Sequence, residues 1–135
     1  MARTPSRLET NFAGFALRSP IIAASAPPTE SASAMRACAD AGAGAVVTKS
    51  ILDYARSDWP DVPRRVKRNG HRYWIQGSFA SETLTLAEGV AMVTATRDTV
   101  DIPIIASVGV LDPLSEAPIE TASRLIEAGA DMTGL

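Results

Sequence analysis

The sequence is poor in the side chains that most often announce a chemistry. Its 135 residues contain one cysteine and one histidine. Cys38 has no partner for an internal disulfide, and one Cys with one His is too little to build a protein-made zinc site. Aromatic residues make up 5%, and four of them, Trp59, Tyr73, Trp74 and Phe79, gather in one central stretch. No apolar run approaches the ~18 residues of a membrane-spanning helix. The opening "MARTPSRLETN" has no apolar core of the kind a secretory signal needs. A net charge of −2 gives no general attraction to nucleic acid or to an anionic membrane. GxGxxG, GxxxxGK[ST] and GxSxG are all absent, which removes the usual signs of a Rossmann dinucleotide site, a P-loop and a serine-hydrolase elbow. These absences point to a cytoplasmic protein with no nucleic-acid or membrane partner and no metal.

What is present is a repeated alternation of apolar runs and helical segments. "LETNFAGFALRSP" alternates about Gly14 and predicts a hairpin. "PIIAAS", Pro20 to Ser25, reads as a buried strand. The loop "APPTES" follows, with Thr29, Ser31 or Ser33 as the cap of a helix. In that helix Met35, Cys38, Ala39 and Gly42 recur at helical spacing, and "AVVTKS" is the second strand. A second unit repeats the order: "IPIIASVGV" as strand, "SEAPIETASRLIEAGAD" as helix, and "DMTGL" as the start of another strand. Ile119, Ala122, Leu125 and Ile126 form that helix's expected apolar face. Strand–helix–strand, repeated with near-continuous apolar strands, is the pattern of a parallel α/β sheet.

Between the units, "VPRRVKRNGHRYWIQGS" predicts a hairpin turning at Asn69-Gly70. "SETLTLAEGVAMVTATRDTV" predicts a helix capped by Ser81, with Leu84, Ala87, Ala91 and Ala95 on one side. The excursion leaves strand two at its C-terminal end, the edge where α/β folds keep their sites.

Lys49 stands out because a buried strand has no use for an ammonium group. One reading is a lysine whose stem covers apolar surface while its head reaches water. The other is a cation at a site edge, flanked by the hydroxyls of Thr48 and Ser50, holding an anionic or carbonyl-rich ligand. Ala24, Ser25 and Ala26 admit two readings as well, close packing against a helix or a flat ligand lying on the backbone. Cys38 reads as a core thiol rather than a nucleophile. His71 reads as a solvated loop histidine, and "RRVKR", Arg64 to Arg68, as a solvated basic face.

Taken together, "LETNFAGFALRSPIIAASAP", "AGAGAVVTKS", "PRRV", "PIIASV" and "AGAD" resemble the FMN-dependent dihydroorotate dehydrogenase family. "SAPPTESASAMRACADAGAGAVVTKS" is closer to its dihydropyrimidine dehydrogenase branch. The resemblance covers nearly the whole chain. It implies a (β/α)₈ TIM-type barrel of which residues 1–135 are the first half, truncated at the C-terminus: three strands, the start of a fourth, an N-terminal hairpin and an inserted hairpin after strand two. It implies FMN as cofactor, a CH–CH oxidoreductase activity on a dihydropyrimidine- or dihydroorotate-like substrate, and Ala24, Ser25, Thr48, Lys49 and Ser50 as cofactor-binding residues. Lys49 would then stabilise the negative charge of reduced flavin near N1 and the C2 carbonyl.

Two departures from the family pattern qualify this. Ser81 stands where the family has an asparagine, and the catalytic base, a Cys or Ser, is expected beyond Leu135. Such a half barrel exposes a strand edge and apolar surface, so self-association or a completing subunit is expected. Two other classes compete: a non-catalytic half-barrel remnant or interaction module, and an aldolase-like barrel with Lys49 as a Schiff-base amine.

Overall fold

A computed structural model describes residues 8–52, 64–75, 83–110 and 116–134. The chain opens with a hairpin of β1 (Thr10–Phe12) and β2 (Phe15–Leu17). Its turn residues, Ala13 and Gly14, both have positive φ, 50° and 87°, the twist that a two-residue hairpin turn needs. Then come β3 (Ile22–Ala23), α1 (Ala32–Asp40), β4 (Ala45–Val47) and β5 (Ile51–Leu52). A second hairpin, β6 (Arg64–Arg68) and β7 (His71–Ile75), turns at Asn69-Gly70 as expected. The order continues with β8 (Leu84–Thr85), α2 (Leu86–Arg97), β9 (Ile104–Ser107), α3 (Ala117–Glu127) and β10 (Met132–Gly134).

The central sheet has four strands in the order β10-β9-β4-β3, every pair parallel. Spatial order therefore follows chain order without reversal, and all C-terminal strand ends share one edge. The expected parallel α/β sheet with intervening helices is present.

Side-chain alternation divides the sheet into two faces. Val46 and Ile104 pack with Met35 and Ala39 of α1 and Met92 of α2. Ala106 and Val108 pack with Val93 of α2 and Leu125 of α3. On the opposite face Ala45 and Ile105 meet Leu17 from the first hairpin. Gly44 lets that hairpin lie close, since a Cβ there would sit 2.0 Å from the Ser19 carbonyl oxygen.

Several local expectations need correction. The first strand pairs only over Ile22–Ala23 rather than Pro20 to Ser25, because Pro20 offers no N–H and the chain leaves the ladder at Ala24. The cap of helix α1, by contrast, is one of the three expected candidates, Ser31, whose hydroxyl accepts from Ala34 N at 3.2 Å. Helix α2 begins at Leu86 with Thr85 in a capping box with Glu88, not at Ser81. Leu84 and Thr85 instead pair with β5. Ser81, Trp59 and Phe79 lie outside the described residues.

The buried stripe of α2 is Gly89, Met92, Val93 and Thr96, while Ala87, Ala91 and Ala95 are exposed. Ile51 explains the difference. A Cβ on Gly89 would meet its Cδ1 at 2.8 Å, so the contact selects the smallest residue rather than an alanine. In α3 the buried residues are Thr121 and Leu125, and Ile119 and Ile126 are 68% and 45% exposed. Cys38 is partly buried rather than enclosed, with its Sγ donating to the Pro28 carbonyl at 3.5 Å. Among the described residues no helix is long and apolar enough to cross a membrane.

Candidate functional site

Strand two does not run straight through "TKS". Val47 pairs with Ile105, yet the next pairing is Ile51 with Val108. Four steps along one strand thus match three along the other, so one extra residue is inserted as a bulge. Side-chain phase confirms the slip. Val46 and Ile51 are an odd number apart, yet both pack against helices, which unbroken alternation forbids.

Thr48 closes the gap. It is fully buried, and its N–H donates to the Ile105 carbonyl at 2.9 Å. Its Oγ1 accepts from Ser107 N at 3.0 Å, standing in for a backbone acceptor. The hydroxyls of Ser50 and Ser107 lie 3.4 Å apart. Beyond the bulge, Ser50 O accepts from Leu84 N at 2.8 Å and Ile51 O from Gly109 N at 2.9 Å. Both flanks of Lys49 are therefore tied to neighbouring strands. Lys49 itself is half-buried and makes no hydrogen bond or ion pair among the described residues.

At the end of β3, Ala24 and Ser25 are exposed. The loop after them is pinned by Thr29, which is fully buried. Its hydroxyl donates to the Ala24 and Ala26 carbonyls at 3.0 and 3.1 Å and accepts from Ala26 N at 3.2 Å. Of the five expected site residues, the sheet thus brings Thr48, Lys49 and Ser50 together at the end of strand two. Ala24 and Ser25 lie on the same edge, at the end of the neighbouring strand. Sequence reading left out Ser107 and gave Thr29 only a capping role. Ser107 was legible as the polar residue closing "PIIAS", but its contact with Ser50 spans 57 positions.

Two open depressions of about 310 and 460 Å³ lie at the opposite edge, lined by residues such as Arg18, Arg36, Asp40 and Asp101. Their charges are largely engaged in structure. Arg18 donates to the Ala43 carbonyl at 2.9 Å and to the Ala39 carbonyl at the end of α1. Arg36 pairs with Asp40 at 2.8 Å and donates to the Thr99 carbonyl. None of the five expected cofactor residues lines either depression.

At the C-terminal edge the donor set is an ammonium and several hydroxyls beside residues with almost no side chain. That set suits a flat ligand rich in carbonyl or anionic oxygen, since it offers donors where such a ligand carries acceptors. It does not suit a metal ion, and no cluster of three metal-ligating side chains occurs among the described residues. Comparison with protein-family models and with curated proteins finds no match to this chain.

Proposed function

We propose that the chain supplies the first strands of an FMN-dependent barrel oxidoreductase acting on a CH–CH bond of a dihydropyrimidine- or dihydroorotate-like substrate. The observation that carries this reading is the bulge at Thr48–Ser50. It holds a lysine without an acidic partner among the described residues at the C-terminal edge of a parallel sheet, next to the small, exposed strand end Ala24-Ser25.

The residues present fit the group. Ala24 and Ser25 would let a planar ring lie against backbone. Ser50, with Ser107 at 3.4 Å, offers neutral donors, and Lys49 offers a cation for the oxygen-rich edge of the ring. Thr48 acts through Lys49, keeping the bulge closed so that the ammonium position is set before a ligand arrives. FMN, when bound, supplies the hydride-accepting ring that oxidation of a CH–CH bond needs. No proton-transfer base is assigned among the described residues.

The test is a titration of FMN with the purified chain, read by quenching of flavin fluorescence, with Lys49→Ala in parallel. Saturable binding that weakens about tenfold or more in Lys49→Ala supports the reading. A folded chain that leaves FMN fluorescence unchanged overturns it for this chain. Borohydride trapping of a carbonyl compound on Lys49 would replace it with Schiff-base chemistry.

A further inference from the structure

The loop after β3 uses nearly all of its backbone donors internally. Over residues 25–30, Pro27 and Pro28 carry no N–H. Ala26 N donates to Thr29 Oγ1 at 3.2 Å. Thr29 N donates to the Ala26 carbonyl at 2.8 Å, and Glu30 N to the Pro27 carbonyl at 3.3 Å. That leaves Ser25. Among the described residues neither its N–H nor its hydroxyl has a hydrogen-bond partner, and the residue is exposed.

One buried side chain produces this arrangement. Thr29 is fully buried, and its hydroxyl lies 3.0 Å from the Ala24 carbonyl and 3.1 Å from the Ala26 carbonyl while accepting from Ala26 N. It therefore ties the residues on both sides of Ser25 and leaves Ser25 itself out. The prolines narrow what remains. A residue before proline is held to extended backbone, and Ala26 has φ −161° and ψ 176°. Ala23 pairs with Val46, so Ser25 and the bulge carrying Lys49 stand at neighbouring strand ends on one edge.

We infer that Thr29 is a positioning residue of the candidate site: its hydroxyl fixes the loop so that the Ser25 N–H and O–H are kept ready for an acceptor edge of the planar ligand. The inference rests on the flavin reading above, and Thr29 itself touches no ligand. Helix capping does not account for this threonine, since Ser31 caps α1 and the Thr29 hydroxyl bonds go to Ala24 and Ala26. A donor already held in place spares the ligand the cost of ordering it. Removing the hydroxyl deprives Ala24 O and Ala26 N of that partner, and Ser25 between them loses its fixed position.

The experiment titrates FMN into the full chain and into two variants, each checked for folding by circular dichroism. Thr29→Val keeps the shape and loses the hydroxyl; Thr29→Ser keeps the hydroxyl and loses the methyl. The expected result is affinity about tenfold weaker in Thr29→Val and nearly unchanged in Thr29→Ser. A second readout is water exchange at the Ser25 amide, followed by NMR. Bound FMN should slow it in the unaltered chain and in Thr29→Ser, an effect that a purely structural threonine would not produce. This readout needs no variant, so it decides the matter if Thr29→Val does not fold. Equal affinity in Thr29→Val, an equal loss in both variants, or FMN binding that leaves Ser25 exchange unchanged would each overturn the inference while the flavin reading stands. An unaltered chain that binds no FMN would overturn both.

Discussion

Buried threonines show how little a residue type says without its partners. Thr48, Thr96 and Thr121 are each about 1% exposed or less. Thr48 Oγ1 accepts the Ser107 amide, and Thr96 Oγ1 donates to the Met92 carbonyl at 2.7 Å. Thr121 Oγ1 is buried without a hydrogen-bond partner among the described residues. The same substitution should therefore act in opposite directions. Thr48→Val removes the hydroxyl that closes the bulge and deprives the part-buried Ser107 N–H of that acceptor, a loss of ~1–3 kcal/mol. Thr121→Val removes a hydroxyl that folding desolvates without return and should be neutral or stabilising by up to ~1 kcal/mol. Urea unfolding of both variants measures the difference, and equal effects would contradict the assignment. Thr48→Ser, which keeps the hydroxyl, should retain most of the Thr48 stability and the flavin response of the unaltered chain.

At the scale of elements, the turns and caps carry separable contributions. Ala13 sits at φ 50° in the first hairpin, a region that costs a residue with a Cβ roughly 1 kcal/mol. Ala13→Gly removes that strain but widens the unfolded ensemble. A small net gain, a fraction of ~1 kcal/mol, is expected as a higher melting temperature.

The end of α3 is held more firmly. Asp131 Oδ2 accepts from Arg97 Nη2 at 2.6 Å and from Ile104 N at 2.8 Å, and Arg97 Nε donates to the Gly129 carbonyl at 3.2 Å. One carboxylate thus joins the end of α2, the loop after α3 and the start of β9. Arg97 and Asp131 are about a third exposed, at 35% and 28%, so solvent discounts the ion pair itself. Asp131→Ala should still cost roughly 2 kcal/mol, mainly through the unpaired Ile104 amide. An unchanged denaturation midpoint would show the clamp to be dispensable.

Across the whole molecule, the unburied apolar surface sets the solution behaviour. Ile119 and Ile126 project from α3 at 68% and 45% exposure. One heptad apart, they share a stripe of the helix. Among the described residues, the outer edges of β3 and β10 also pair with no further strand. Self-association through the α3 stripe is expected, and Ile119→Lys with Ile126→Lys should reduce it with little change in melting temperature. Sedimentation velocity across a concentration series makes the comparison. Association that persists unchanged would direct attention to the strand edges instead.

Much of the architecture was readable from local pattern. Near-continuous apolar runs, apolar residues recurring at helical spacing, and the "NG" turn determine which stretches become strands, helices and hairpins, because each depends on residues only a few positions apart. The same reasoning placed Thr48, Lys49 and Ser50 at a strand end. It failed where an element's inner face is chosen by what lies opposite. On α2 the alanines looked like the buried stripe, but Ile51 selected Gly89 and the side carrying Met92 and Val93. On α3 two isoleucines looked like core and are exposed.

The bulge belongs to tertiary structure entirely. Its register depends on Thr48 meeting Ser107 across 59 positions, and no local preference encodes where two distant strands fall out of step. The sequence by itself determined that a cation would stand at the end of the second strand. Only the fold decided how it is held there: one extra residue in a parallel ladder, closed by a threonine hydroxyl, with Thr48 tied to β9 and Ser50 to β8.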